Sequence, residues 1–128
     1  MVFKEDLSIY LQVCELIEVK ILKGEWLEED KIPSIRSLSL ELELNPNTIK
    51  KAINELILRK IIYKSNNGGF SVSYDALKII TEKIKYDFFT SKLPDIFECL
   101  YLCEIPFDEV EKRYQIFKMK KENQRMII

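Results

Sequence analysis

Residues Asn45 and Pro46 mark the start of a helix, and this restricts the fold more than any other feature of the sequence. An asparagine at the N-cap can accept a hydrogen bond from a free backbone N–H of the first turn. A proline at the first helical position loses no needed donor, and its φ is already helical. Apolar residues then recur at helical spacing, at Ile49, Ala52, Ile53, Leu56 and Ile57. The opposite face is polar, with Asn47, Lys50, Lys51 and Asn54.

Two further helices are predicted upstream. The nearer one is short, is capped by Ser34 and ends around Glu43-Leu44, so a turn of a few residues separates it from the helix at Pro46. Its expected buried residues are Ile35, Leu38 and Leu42. The farther helix is predicted over residues 6–23, where apolar residues repeat at steps of three and four, and Gly24 follows its end. Two helices joined by a tight turn indicate a helix-turn-helix.

The pattern changes after Lys60. Residues 61–64 and 70–73 read as short strands, and the sequence Ser65-Asn66-Asn67-Gly68-Gly69 between them is a strong turn signal. A β-hairpin directly after a helix-turn-helix makes a winged helix. The predicted fold class is therefore mainly α with a small β-hairpin wing.

Helical patterns return after residue 75. Pro94 interrupts an apolar stripe, so we expect a kink or break near Leu93, and Ile105-Pro106 ends the next segment. Two or three helices cannot readily bury so many large apolar side chains, so the expected partner is the same segment of a second chain. The predicted domains are a winged helix-turn-helix DNA-binding domain over residues 1–74 and a helical dimerisation tail over residues 75–128.

Charge is distributed unevenly along the chain. The net charge of −1 gives no general attraction to nucleic acid. Residues 36–64, however, contain six basic and three acidic side chains, a local charge of +3. Basic groups meet phosphates in protein–DNA complexes, while amides and hydroxyls meet base edges. Asn47 and Thr48 have the chemistry for base edges, whereas Lys50 and Lys51 suit guanines or phosphates.

The composition disfavours several other classes of protein. The chain has no histidine, which removes His-dependent triads, His general bases and Cys/His zinc sites, and it has no phosphate-binding glycine loop. We therefore predict no enzyme activity, no cofactor and no metal. No apolar run approaches the ~18 residues of a membrane span, and the first residues do not resemble a secretory signal. We expect a cytoplasmic protein whose three cysteines are reduced.

The sequence resembles the winged-helix domain of GntR-type bacterial transcription regulators over about residues 7–73. The motifs that carry the resemblance are KIPSIRSLSLELELNPNTIKKAINEL and the following IIYKSNNGGFSV. Most of the family has a small hydroxyl residue in place of Asn45 and an arginine in place of Pro46. The sequence NPNT is similar to the YtrA branch, whose members add only a short helical tail.

The resemblance implies a dimeric transcriptional regulator, usually a repressor, that binds double-stranded DNA and assembles through its C-terminal helices. Its DNA-contacting residues would map to the two helices and the wing tip, at Ser34, Arg36, Asn45, Asn47, Thr48, Lys50, Asn66, Asn67 and Gly68. Pro46 removes one base contact that the family commonly makes, and Lys51 or Asn54 are candidates to replace it.

Several alternatives stay open. The main rival is a winged helix that binds another protein instead of DNA, which the low overall charge favours. Cys99 and Cys103, four apart on a predicted helix, are expected to be core residues, but the thiolates of two chains could together hold zinc. Trp26 is expected to anchor the first helix against the wing, or else to line a ligand pocket. The tail aromatics are expected to pack, although a small-molecule effector could occupy a cavity between two tails.

Overall fold

The computed structural model describes residues 8–127, except for the side chain of residue 127. Along these residues the elements are α1 (Ile9–Leu22), α2 (Ile35–Leu42), α3 (Pro46–Leu58), β1 (Ile62–Lys64), β2 (Phe70–Val72), α4 (Ala76–Asp87), a π-helical turn (Phe88–Lys92), α5 (Leu93–Leu102) and α6 (Phe107–Ile127). The predicted fold class, mainly α with a small β-hairpin, is confirmed. The predicted start of the first helix at Asp6 lies outside the described residues.

The chain divides into two compact units, with the boundary after Lys85 inside α4. The first unit contains the helix-turn-helix and the wing, and the second contains the remainder of the tail. The sequence-based assignment of a DNA-binding domain to residues 1–74 and a dimerisation tail to residues 75–128 stays a prediction.

One apolar core occupies the first unit, and it is built from α1 to α4, both strands and the loops before them. Its buried residues are Val13, Cys14, Ile17, Ile21, Ile32, Leu38, Ile49, Ala52, Ile53, Leu56, Ile61, Ile62, Val72, Ala76 and Ile80. Ile57 at the end of the α3 stripe is partly buried, as are Ile35 and Leu42 of α2. Because α3 buries its apolar face in this core, its polar face is left toward solvent.

The wing is a small sheet to which the loop after α1 adds a third segment. Strands β1 and β2 are antiparallel, with Tyr63 opposite Ser71. Lys31 pairs with Ser71 on the other side of β2. The Tyr63 hydroxyl donates a 2.6 Å hydrogen bond to the Glu29 carboxylate, and this bond raises the pKa of the phenol. These contacts join the wing to the acidic loop, residues 25–30, that lies between α1 and α2.

The tail helices leave most of their apolar side chains exposed. No residue between 86 and 126 is buried in the single chain. Exposed large apolar side chains occur along the whole segment, at Tyr86, Phe89, Ile96, Phe97, Tyr101, Leu102, Ile105, Phe107, Tyr114, Ile116, Phe117, Met119 and Met126. None of the helices within residues 8–127 is long and apolar enough to cross a membrane.

The predicted interruption near Leu93 takes the form of the π-helical turn that ends at Lys92, with Pro94 in the first turn of α5. A proline lacks the N–H of the helical ladder and its ring collides with the carbonyl four residues earlier, so a wider turn before it relieves both problems. The backbone changes its winding here without leaving the helical region.

Cys99 and Cys103 were expected in a core but are exposed in the single chain, whereas Cys14 is buried. The expectation failed because the tail helices have no core of their own to receive them. No group of three or more metal-ligating side chains occurs among residues 8–127.

We expect alkaline pH to destabilise the first unit through Cys14. Its thiol donates to the Ala52 carbonyl across 3.4 Å, and burial raises its pKa from 9.0 to about 11. Because the folded-state pKa exceeds the unfolded value, the stabilisation is complete below pH 9.0 and is lost as the pH rises toward 11. Urea unfolding at several pH values should show this loss in wild type and a smaller one in Cys14→Ala. An equal alkaline loss in both proteins would contradict the assignment.

Candidate nucleic-acid interface

The first turn of α3 is held in place by its own cap. Asn45 lies before the helix in extended conformation, and its Oδ1 accepts a 2.8 Å hydrogen bond from the Asn47 N–H. Pro46 begins the helix, and the Asn45 carbonyl accepts from the Thr48 N–H at 2.9 Å. The Asn47 and Lys50 side chains are exposed, and Thr48 is half-buried. The turn therefore presents an amide, a hydroxyl and an ammonium group from a fixed backbone.

The outer face of α3 is polar as predicted, since Asn47, Lys50, Lys51 and Asn54 are all exposed. Lys51 differs from the others because its ammonium nitrogen lies 4.3 Å from the centroid of the Tyr10 ring. A cation this close to an aromatic face is attracted to it, so in the single chain Lys51 is directed toward α1. Its assignment to DNA stays a prediction.

The start of α2 is capped in the predicted way. The Ser34 hydroxyl accepts a 3.0 Å hydrogen bond from the Ser37 N–H, and Arg36 in the first turn is exposed. At the other end of α2, Glu43 has a φ of +55°, a left-handed conformation that turns the chain toward α3. This residue sets the turn of the helix-turn-helix, although it is not a glycine.

The wing tip is a tight turn closed by two hydrogen bonds. The Ser65 N–H donates to the Gly69 carbonyl at 3.0 Å, and the Gly68 N–H donates to the Ser65 carbonyl at 3.1 Å. Gly68 and Gly69 both have positive φ, at +79° and +77°. The positive φ values of this turn are those of the two glycines, and Asn67 does not share them. Asn66, Asn67 and Gly68 are exposed.

Lys31 is a basic residue beside the wing that the sequence reasoning missed. Its side chain runs along the wing backbone, and a Cβ placed on Gly69 would lie 3.1 Å from its Cε and 3.9 Å from its Nζ. Lys31 is exposed and pairs with Ser71. Lys31 lies outside residues 36–64, where the local charge is +3, and the pairing that brings it to the wing is visible only in the fold.

Arg59 contributes to the local charge of +3 but belongs to a structural ion pair. Its Nη1 lies 2.8 Å from Glu18 Oε1 on α1, and its Nε lies 3.1 Å from Glu55 Oε1 on α3. Burial of the guanidinium lowers its pKa, but the hydrogen bond and the charge of Glu18 more than offset this, so the pKa is raised. Arg59 thus links the end of α3 to α1. The basic side chains that remain available to bind a partner are the exposed ones.

The predicted DNA-contacting residues are the nine that the family resemblance implies and Lys51, and all ten lie in the first unit with none of them buried. They occupy the start of α2, the start of α3 and the wing tip. Their individual contacts with DNA stay predictions.

Comparison with known proteins places this arrangement among bacterial regulators. Residues 9–72 match the family model described as bacterial regulatory proteins of the gntR family. The transcriptional repressor YtrA of Bacillus subtilis (strain 168) is 35% identical over 79 residues, which are 62% of this chain. The chain spans 61% of YtrA's own length and a smaller share of longer regulators.

Solved structures are also similar to this chain. A GntR-family transcriptional regulator from Bacteroides thetaiotaomicron superposes with a TM-score of 0.70 at 32% identity, over 89% of this chain and 99% of that one. The DNA-binding domain of AraR in complex with operator ORR3 superposes with a TM-score of 0.51 at 32% identity, over 57% of this chain and 88% of that one. The sequence-based recognition of the family and of its YtrA-like branch is confirmed.

Proposed function

The chain belongs to the GntR family of bacterial regulatory proteins, and from this premise we propose that it is a repressor that binds a two-fold related operator as a homodimer. It is a transcriptional regulator with a winged helix-turn-helix DNA-binding domain, and the curated relatives it matches are regulators as well. The observation that carries the proposal is the capped start of α3, which holds Asn47, Thr48 and Lys50 on an accessible turn.

In the proposed complex, the N-terminal turns of α3 enter the major groove, as recognition helices do in helix-turn-helix proteins. Asn47 and Thr48 would face base edges, and Lys50 would bind a guanine or a phosphate. Arg36 and the wing tip would bind the backbone on either side, together with Lys31, whose ammonium lies along the wing. The operator complexes of the AraR domain support this use of the fold.

The tail supports a homodimer. A folded segment of about forty residues with no buried side chain leaves a large apolar surface in water, and association with an identical surface removes it. A two-fold axis through paired tails would set the spacing between the two copies of α3, and the operator would repeat that symmetry. Repression as the sign of regulation is supported by the description of YtrA as a repressor.

We expect Lys50→Ala to weaken operator binding by roughly 5- to 10-fold, because one charge-assisted contact is worth about 1 kcal/mol or slightly more. If Lys50 binds a phosphate, the slope of log affinity against log salt should also fall by about one. The operator is first selected from a random DNA pool, and affinity is then measured by fluorescence anisotropy. Lys23→Ala is the matched control, since Lys23 is an exposed lysine at the end of α1.

Undiminished binding by Lys50→Ala would contradict the residue assignment. The same purified protein also tests the rival function, in which the winged helix binds another protein instead of DNA. Size-exclusion chromatography with light scattering gives the oligomeric state, and a gel shift against the upstream DNA of the gene gives binding. A monomer that is indifferent to DNA would favour the rival.

A further inference from the structure

We propose that a groove beside Trp26 is a binding site for a small organic cation with an apolar body. The groove lies within the first unit, between the end of α1, the acidic loop and the start of α4, and its volume is about 430 Å³. Small-molecule sites typically occupy roughly 300–1,000 Å³ and combine apolar walls with a few polar groups. This site is separate from the proposed DNA-binding residues, and it does not depend on the proposed function.

The walls of the groove are apolar. Leu22, Leu27 and Leu77 all line it and are all exposed in the single chain, and Trp26 forms another wall. Trp26 is half-buried and packs partly against the core, so its ring is held in place. Isolated exposed leucines are common on proteins, but three that line one groove together with an aromatic ring form a surface that gains by leaving water.

The Trp26 ring already accepts a cation from the protein itself. The Lys20 ammonium lies 5.6 Å from the ring centroid, and it also donates to Glu25 Oε2 at 3.3 Å. Tryptophan is the best aromatic acceptor for a cation, because its face carries partial negative charge. Lys20 is neutralised by Glu25, so this pair adds little net charge at the groove.

Glu28 determines the sign of the ligand. The neighbouring acidic side chains are occupied: Glu29 accepts from the Tyr63 hydroxyl, and Asp30 accepts from the Leu27 N–H at 2.8 Å. Glu28 lines the groove and has no hydrogen bond or ion pair with another residue of the described chain. A carboxylate beside an aromatic face and apolar walls complements an ammonium group that carries an apolar substituent, and it repels an anion.

The loop that carries these groups is fixed before any ligand arrives. The Glu25 and Trp26 N–H groups both donate to the Lys20 carbonyl, at 2.9 and 3.4 Å, and the Asp30 N–H donates to the Leu27 carbonyl at 3.0 Å. A preformed site loses less conformational freedom on binding than a mobile loop would. The groove therefore has the shape, the charge and the rigidity that a specific site needs.

The test uses the fluorescence of Trp26, which is the chain's one tryptophan. Benzyltrimethylammonium is titrated into the full chain without DNA, and neopentylbenzene serves as its uncharged isostere. We expect a saturable change in Trp26 emission with the cation, and an affinity at least about 5-fold lower for the isostere. Glu28→Gln should weaken cation binding by about 5-fold, whereas Glu15→Gln, at an exposed position of α1 outside the groove, should not.

Three results would overturn the proposal. The first is an equal response to the cation and its isostere, which would indicate apolar adsorption only. The second is an unchanged affinity in Glu28→Gln, provided that circular dichroism shows the variant to be folded. The third is a cation affinity that falls as the protein concentration is raised, because a second copy of the chain would then compete with the cation for the groove. None of these measurements involves DNA, so failure here is distinguishable from failure of the proposed function.

Discussion

Replacement of Leu56 by alanine is expected to lower the free energy of unfolding of the first unit by about 3 kcal/mol, within the ~2–5 kcal/mol typical of buried leucines. Leu56 is completely buried on the inner face of α3. The substitution removes three carbon atoms from a core that α1, α2 and the wing share, and the surrounding backbone cannot collapse fully into the space. Urea unfolding followed by Trp26 fluorescence, at one fixed protein concentration, measures the change in the unit that contains Trp26.

Leu58→Ala is the control for this prediction. Leu58 is the last residue of the same helix and is 77% exposed, so its replacement should change the free energy of unfolding by less than about 0.5 kcal/mol. The two variants share the chemical change and the helix, and they differ only in burial. Equal destabilisation by both would mean that α3 is not anchored in the core as the structure has it.

Replacement of Arg59 by alanine is expected to cost about 2 kcal/mol, because it leaves a buried carboxylate without its counter-charge. The Glu18 side chain is only 9% exposed, and Arg59 Nη1 is its ion-pair partner at 2.8 Å. Breaking a fully buried ion pair costs about 3–5 kcal/mol. The expected loss is smaller here because the Arg59 side chain is 24% exposed, so water can partly take the place of its guanidinium beside Glu18. The same urea unfolding experiment measures the loss.

A double-mutant cycle isolates the pair. Glu18→Ala combined with Arg59→Ala should be less destabilising than the sum of the single changes, since no charge is left buried and unpaired. Arg36→Ala provides the matched control, because Arg36 is an exposed arginine of the same unit, where the same substitution should cost less than about 0.5 kcal/mol. Additive effects at residues 18 and 59 would show that the pair does not couple α1 to α3.

Local signals predicted the local features well. The caps at Ser34 and Asn45 were predicted from residue types whose side chains can accept hydrogen bonds from free N–H groups. Both caps form the expected hydrogen bonds. The wing was predicted from a turn sequence with two glycines, and both glycines adopt a positive φ, a conformation in which glycine is favoured. Such features depend on neighbours in the sequence, so the sequence suffices to find them.

Contacts between distant residues could not be predicted in this way. Arg59 was counted with the basic residues of the interface, but its partner Glu18 is 41 positions away. Glu18 itself lies on the buried side of α1, where a periodic pattern leads one to expect an apolar residue. Lys31 reaches the wing through strand pairing, and Lys51 lies over Tyr10 through helix packing. The candidate site was therefore predictable in its position, while the distribution of its charge depended on the tertiary fold.

The unburied tail also bears on how the regulator would respond to its own abundance. If pairing of the tails precedes promoter binding, then at low levels the competent species rises with the square of the protomer concentration. A twofold change in synthesis would then alter promoter occupancy by about fourfold. Tail helices that bury no side chain in the single chain would thereby make promoter occupancy change more than proportionally with expression.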